Sequence, residues 1–138
     1  MKRILLIDDD HITNMLNERI IKYTQVAESV HVCISAQKAL NLITDFIDKQ
    51  ESIPEVILLD IRMPIMDGFG FLEEFAKIPE SITSDVKIAM LTSSLEDSEK
   101  DRAYKYKNVI DFINKPLNEV KIREFIKKAE TTPKIFFK

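Results

Sequence analysis

The feature that most constrains this chain is an unbroken apolar run, Ile4-Leu5-Leu6-Ile7, that stops at three aspartates, Asp8-Asp9-Asp10. Four apolar residues without alternation describe a strand buried on both faces. Residues 56–59 repeat the pattern and end at Asp60. Residues 86–91 and 109–113 supply a fourth and a fifth strand, and 29–34 a half-alternating second one. Between them, apolar residues fall at helical spacing. Ile12, Met15, Leu16, Ile20 and Tyr23 form one such set, and Ala36, Ala39, Leu40, Ile43 and Ile47 form another behind Ser35 as N-cap. Phe71, Leu72, Phe75 and Ile78 mark a third helix, and Ile122, Phe125, Ile126 and Ala129 a last one capped by Asn118. Segment 95–106 has sparse apolar positions, such as Leu95, Ala103 and Tyr106, and is otherwise highly charged, which predicts a weakly packed fourth helix. The polar stretches 48–55 and 79–85 predict loops. Five strands alternating with five helices predict a doubly wound α/β domain, its parallel sheet covered on both faces.

A length of 138 residues fits one such domain. The net charge of -3 argues against binding to nucleic-acid phosphates or an anionic membrane surface. Glycine occurs only at Gly68 and Gly70, so no glycine-rich phosphate loop is present. The lone cysteine, Cys33, excludes a disulfide framework and a multi-cysteine zinc site. The apolar run at the start is too short for a secretory or membrane-spanning segment, so a cytoplasmic location is expected.

In doubly wound folds the functional crevice lies at the carboxyl ends of the strands. Here those ends carry Asp8-Asp9-Asp10, Asp60, Thr92-Ser93-Ser94 and Asn114-Lys115-Pro116. Two like charges about 4 Å apart repel by about 4 kcal/mol at an effective dielectric of ~20. A cluster of Asp8, Asp9 and Asp60 therefore calls for a cation, and oxygen-only ligands suit Mg²⁺. Lys115 supplies a second, fixed positive charge. Any single aspartate at a strand end has a plainer reading as a helix cap, and Asp10 is expected to be one.

The set resembles the receiver domain of bacterial two-component response regulators, of the stand-alone kind, over about residues 2–129. The matching motifs are Ile7-Asp8-Asp9, then Leu58-Leu59-Asp60-Ile61-Arg62-Met63-Pro64-Ile65-Met66-Asp67-Gly68, then Leu91-Thr92-Ser93, then Asn114-Lys115-Pro116. The resemblance implies a flavodoxin-like strand order of 2-1-3-4-5. It implies a phosphoryl group accepted on Asp60 from a sensor histidine kinase or a phosphotransfer protein, with Mg²⁺ as cofactor. Asp9 and Asp60 would ligate the metal directly, Asp8 largely through water, and Arg62 through its backbone carbonyl. Lys115 would pair with Asp60 and later with the phosphoryl oxygens, and Thr92 would donate to one of those oxygens. Phe112 would turn inward as Thr92 moves, and the Lys115-Pro116 bond would be cis, aiming the ammonium at the site. Self-dephosphorylation would be tuned by Arg62 and Ser94. Such a chain catalyses only its own phosphorylation and dephosphorylation, so no enzyme is expected. Output would be contact with a downstream protein, and a homodimer would form through the face of the fourth helix, fifth strand and last helix. The receiver is expected over 1–130, with a C-terminal tail, 131–138, too short for an output domain.

Other residues read plainly. His11 is expected to be exposed at a helix start, His31 partly covered on the second strand, and Cys33 a small core residue. Asp67-Gly68 is expected to turn the chain, with glycine adopting a backbone conformation that larger residues resist. Lys121, Arg123, Lys127 and Lys128 read as a solvated helix face. The long segments 48–55 and 79–85 depart from compact receivers, are expected at the amino ends of their strands, and are similar to receivers of phytochrome-associated systems. Three alternatives compete. A flavin module would not place Asp8-Asp9-Asp10 where a phosphate must sit, and a dehalogenase-type phosphohydrolase would need an aspartate in place of Arg62. A pseudo-receiver working without phosphorylation would not need the intact acceptor, acidic pair and lysine.

Overall fold

The computed structural model describes residues 2–93 and 96–133. Ser94, Leu95 and residues 134–138 of the expected tail lie outside them. The chain runs β1 (Lys2–Ile7), α1 (His11–Thr24), β2 (Ala27–Cys33), α2 (Ala36–Asp48), β3 (Val56–Asp60) and α3 (Gly68–Phe75). It continues through α4 (Glu80–Thr83), β4 (Lys87–Thr92), α5 (Asp97–Tyr104), β5 (Val109–Asn114) and α6 (Glu119–Thr131). The five strands form one sheet in the order β2-β1-β3-β4-β5, and every pairing is parallel.

The unbroken apolar runs become strands covered on both faces. In β1, Leu5 and Ile7 face one core with Ile57, Leu59, Met90, Ala39, Ile43 and Phe71. Ile4 and Leu6 face the other, with Val56, Leu58, Leu91, Ile122 and Phe125. Alternate residues of one run thus fill two cores, because successive side chains on a strand point to opposite faces.

The segment 79–85, read as a loop, is corrected: Pro79 leads into the single helical turn α4, giving six helices among the described residues. A four-residue turn leaves no periodicity in the sequence. The apolar spacing of α1 correctly marks a helix but not its orientation. Asn14, Asn17, Ile21 and Thr24 are the buried residues, while Ile12, Met15, Leu16 and Tyr23 are exposed. The Asn14 side chain holds that rotation by donating to the Asp8 carbonyl at 2.7 Å, and the buried Thr24 hydroxyl is satisfied within the helix by the Ile21 carbonyl. The weak packing expected of the fourth helix is observed in α5, whose one buried residue is Ala103.

Candidate functional site

Parallel register brings four strand ends to one edge. Ile7 pairs with Leu59, Asp60 with Leu91, and Thr92 with Asn114. The residue after β1 and the residue after β5 therefore flank the ends of β3 and β4. The Asp8 amide donates to the Cys33 carbonyl, and the Lys115 amide donates to the Thr92 carbonyl at 2.8 Å. These bonds fix the turns that carry the charged side chains.

The Lys115 ammonium lies 3.0 Å from Asp8 Oδ2 and 3.0 Å from Asp60 Oδ1. Asp8 and Asp60 are buried, whereas Asp9 is exposed. One carboxylate oxygen from each of the three lies within 4.8 Å of the others, the one such group among the described residues. Asp8, Asp9, Asp10, Thr13, Asp60, Arg62, Thr92, Ser93 and Lys115 line a cleft of about 250 Å³. Burial pushes the Asp60 carboxyl above its usual range; the Lys115 hydrogen bond opposes this and the Asp8 charge adds to it. For Lys115 burial acts downward, but the two carboxylates outweigh it and hold the ammonium above its ordinary value. Lys115 and Arg62 against four aspartates leave the cleft negative. The donors are all oxygen, and Lys115 takes only one oxygen each of Asp8 and Asp60. This set suits a hard divalent cation that keeps several waters.

The supporting residues explain the placement. Asp10 caps α1 as expected, accepting from the amides of Ile12 and Thr13, and those bonds lower its pKa. Asp67 and Gly68 are corrected: they are the N-cap and first residue of α3 rather than a free turn. Gly68 does not have a positive φ. It is glycine because a Cβ there would lie 2.7 Å from the Asp60 carbonyl oxygen, so α3 packs directly on the end of β3. The Lys115-Pro116 bond is cis. Phe112 is half-buried and meets Tyr104 of α5 edge to face, with ring centroids 5.2 Å apart.

His11 is exposed, and His31 is half-buried edge to face with Phe46. Cys33 is buried, and burial raises its thiol pKa. The solvated reading of the last helix fails at Lys121, which donates to the carbonyls of Asn114 and Pro116 on either side of Lys115. Lys128 pairs with Asp111 at 3.5 Å. Sequence reasoning also passed over Asn14, which fixes the Asp8 carbonyl, and Glu99, which pairs with Arg62 across 37 residues. Helical spacing marks Lys121 as near the last cap, but nothing in the sequence signals the other two. The long segments lie at the opposite edge, as expected, around a cleft of about 660 Å³.

Residues 4–127 match the model of the response regulator receiver domain. The chain belongs to the response regulator receiver family. A two-component response regulator from Cytophaga hutchinsonii superposes with a TM-score of 0.85 at 27% identity, covering 94% of this chain and 97% of that one. Histidine kinase CKI1 of Arabidopsis thaliana is 29% identical over 126 residues, which are 86% of this chain and 11% of the kinase. The receiver domain of that kinase, solved with Mg²⁺ and BeF₃⁻, has a TM-score of 0.78 at 25% identity, covering 95% of this chain and 91% of that one. A probable C4-dicarboxylate response regulator of Bacillus subtilis is 27% identical over 129 residues, which are 91% of this chain and 51% of the regulator. The chain thus spans about half or less of these curated relatives. It is a receiver domain with an intact acidic pocket of Asp8, Asp9 and Asp60 facing Lys115, consistent with aspartate phosphorylation. Receivers partner with histidine kinases and are not conventional enzymes. No helix among the described residues is long and apolar enough to cross a membrane.

Proposed function

We propose that this receiver takes a phosphoryl group on Asp60 from a sensor histidine kinase or a phosphotransfer protein. The observation that carries the reading is the Lys115 ammonium, 3.0 Å from both Asp8 and Asp60, with exposed Asp9 beside them. An Asp60 carboxylate oxygen attacks phosphorus, the bond from phosphorus to the donor nitrogen breaks, and the released imidazole takes up a proton. Asp8, Asp9, Asp60 and the Arg62 carbonyl would hold Mg²⁺, which supplies charge neutralisation at the phosphoryl oxygens. The Mg²⁺ and BeF₃⁻ recorded for the Arabidopsis receiver support that assignment. Lys115 then pairs with a phosphoryl oxygen. The Thr92 hydroxyl donates to another, and Phe112 turns inward from Tyr104.

The exposed residues of α1 favour a helical phosphodonor. Ile12, Met15 and Leu16 are apolar and exposed on the first turns of a helix whose cap and Thr13 line the acidic cleft. A donor helix seated on them reaches Asp60. Output passes to a downstream protein, or to a second copy, through α5, β5 and α6. The net charge of -3 favours a protein over nucleic acid or an anionic membrane as the target. The working place is the cytoplasm, and the receiver unit is 1–130 followed by the tail 131–138.

Incubation with acetyl phosphate and Mg²⁺ tests the assignment. One acid-labile phosphoryl group is expected per chain, and none in Asp60→Asn. Persistent labelling of that variant would move the acceptor elsewhere, and an unlabelled wild type would make the chain a pseudo-receiver.

A further inference from the structure

The segment after Asp60 meets α5 twice, once from the loop and once from α3. Arg62 Nη2 lies 3.2 Å from both carboxylate oxygens of Glu99 on α5. The Arg102 guanidinium, also on α5, sits 4.1 Å from the centre of the Phe69 ring on α3. These contacts matter because α5 has little else: Ala103 is its one buried residue, and its N-cap Glu96 makes no side-chain cap bond. Arg62 borders two clefts at once. One is the acidic cleft around Asp60, and the other is lined by Met63, Asp67, Phe69, Glu99 and Arg102. Arg62 therefore stands between two anionic groups, with Glu99 holding its guanidinium and the acidic cleft on its other side.

We propose that Arg62 is a positioning residue whose guanidinium is shared between Glu99 and a phosphoryl group on Asp60, so that loading Asp60 unlatches α5. The proposal rests on Asp60 as phospho-acceptor. In the unloaded chain Lys115 already bridges Asp8 and Asp60, and Glu99 holds Arg62 with its carboxylate largely shielded from solvent. A phosphoryl group brings up to twice the charge of a carboxylate, and Coulomb attraction scales with charge. Lys115 serves only part of it, because Asp8 also draws on that ammonium. Mg²⁺ would meet part of the remainder, and Arg62, two residues from the acceptor, is the further cation in the cleft lining. When it moves, Glu99 loses its partner and α5 loses its link to the loop.

Amide hydrogen exchange over residues 97–104, with and without beryllofluoride plus Mg²⁺, tests this in wild type, Glu99→Gln and Arg62→Lys. Fluorine NMR of bound beryllofluoride is read in parallel. Wild-type α5 should exchange about two- to fivefold faster once beryllofluoride is bound, the size expected of one surface ion pair. Glu99→Gln should exchange at that faster rate beforehand and respond little further, while binding beryllofluoride normally. Arg62→Lys should restore part of the resting protection and part of the response. Wild-type protection unchanged by bound beryllofluoride, or a Glu99→Gln variant as protected and as responsive as wild type, would overturn the latch. Absence of any bound beryllofluoride signal would overturn the acceptor reading first and the latch with it.

Discussion

α1 borders the acidic cleft and α5 borders the neighbouring one, and the two helices are built in opposite ways. α1 exposes apolar side chains yet is firmly fixed, by the Asp10 cap, the Asn14 bond to Asp8 and fully buried Ile21. α5 exposes charge and is loosely fixed, by an ion pair, a cation–aromatic contact and the Tyr104–Phe112 ring pair. A helix that must receive a partner keeps its place and leaves apolar area uncovered. On the proposed latch, α5 is held by contacts worth little individually and open to competition by a new charge. The difference between them is one of anchoring rather than of helix length or polarity alone.

The comparison breaks first at Ile21. Truncating a fully buried isoleucine costs about 2–5 kcal/mol, so Ile21→Ala should lower the denaturation midpoint more than any single α5 substitution. Ala103→Gly, at the one buried site of α5, should cost about 1 kcal/mol. Equal losses in urea titrations would remove the asymmetry.

Between the helices, the cleft itself should respond to metal. Mg²⁺ bound only by the folded chain stabilises it by about 2.7 kcal/mol at a hundredfold excess over Kd. Melts of wild type should shift between EDTA and Mg²⁺, and those of Asp60→Asn much less. The same variant carries a pH signature. Burial holds Asp60 above its usual value of 3.8, so folding disfavours its ionised form. That penalty is present above the raised value and absent below 3.8, where folded and unfolded chains are both protonated. In EDTA, Asp60→Asn should therefore be more stable than wild type at neutral pH, and the gain should vanish as pH falls through the raised value. A gain that grew on acidification would contradict the burial of this carboxylate.

Smaller effects sharpen the contrast at the helix starts. Asp10→Ala removes two amide contacts and should lower the denaturation midpoint, whereas Glu96→Ala on α5, which loses no cap bond, should leave it nearly unchanged. Leu16→Glu should change stability by less than about 0.5 kcal/mol, because the residue is half exposed. Its expected effect is on phosphotransfer from the donor, with labelling by acetyl phosphate unchanged. Equal loss with both phosphoryl sources would detach α1 from donor docking.

The strand ends were legible because a doubly buried strand leaves an unbroken apolar run, and the residue after it is necessarily at the edge. That reasoning put Asp8, Asp60, Thr92 and Lys115 at one edge of the sheet, where the register brings them together. The rotation of α1 was hidden because periodicity reports which residues share a face, not whether that face meets the sheet. In α1 the buried side carries Asn14, Asn17 and Thr24, whose polar groups can be satisfied inside. The reason for Gly68 was misread for a related cause: steric approach to Asp60 leaves the same letter in the sequence as a left-handed turn. Glu99 and Asn14 act through single contacts to distant or backbone atoms, which no local pattern encodes.

The bridging position of Lys115 has a thermodynamic consequence. Its one ammonium serves Asp8 and Asp60 together, so a phosphoryl mimic that draws it away leaves Asp8 undercompensated, and a divalent cation restores the balance. On the proposed function the two ligands should therefore be positively cooperative. Reciprocity requires each to raise the other's affinity by the same factor, whichever binds first.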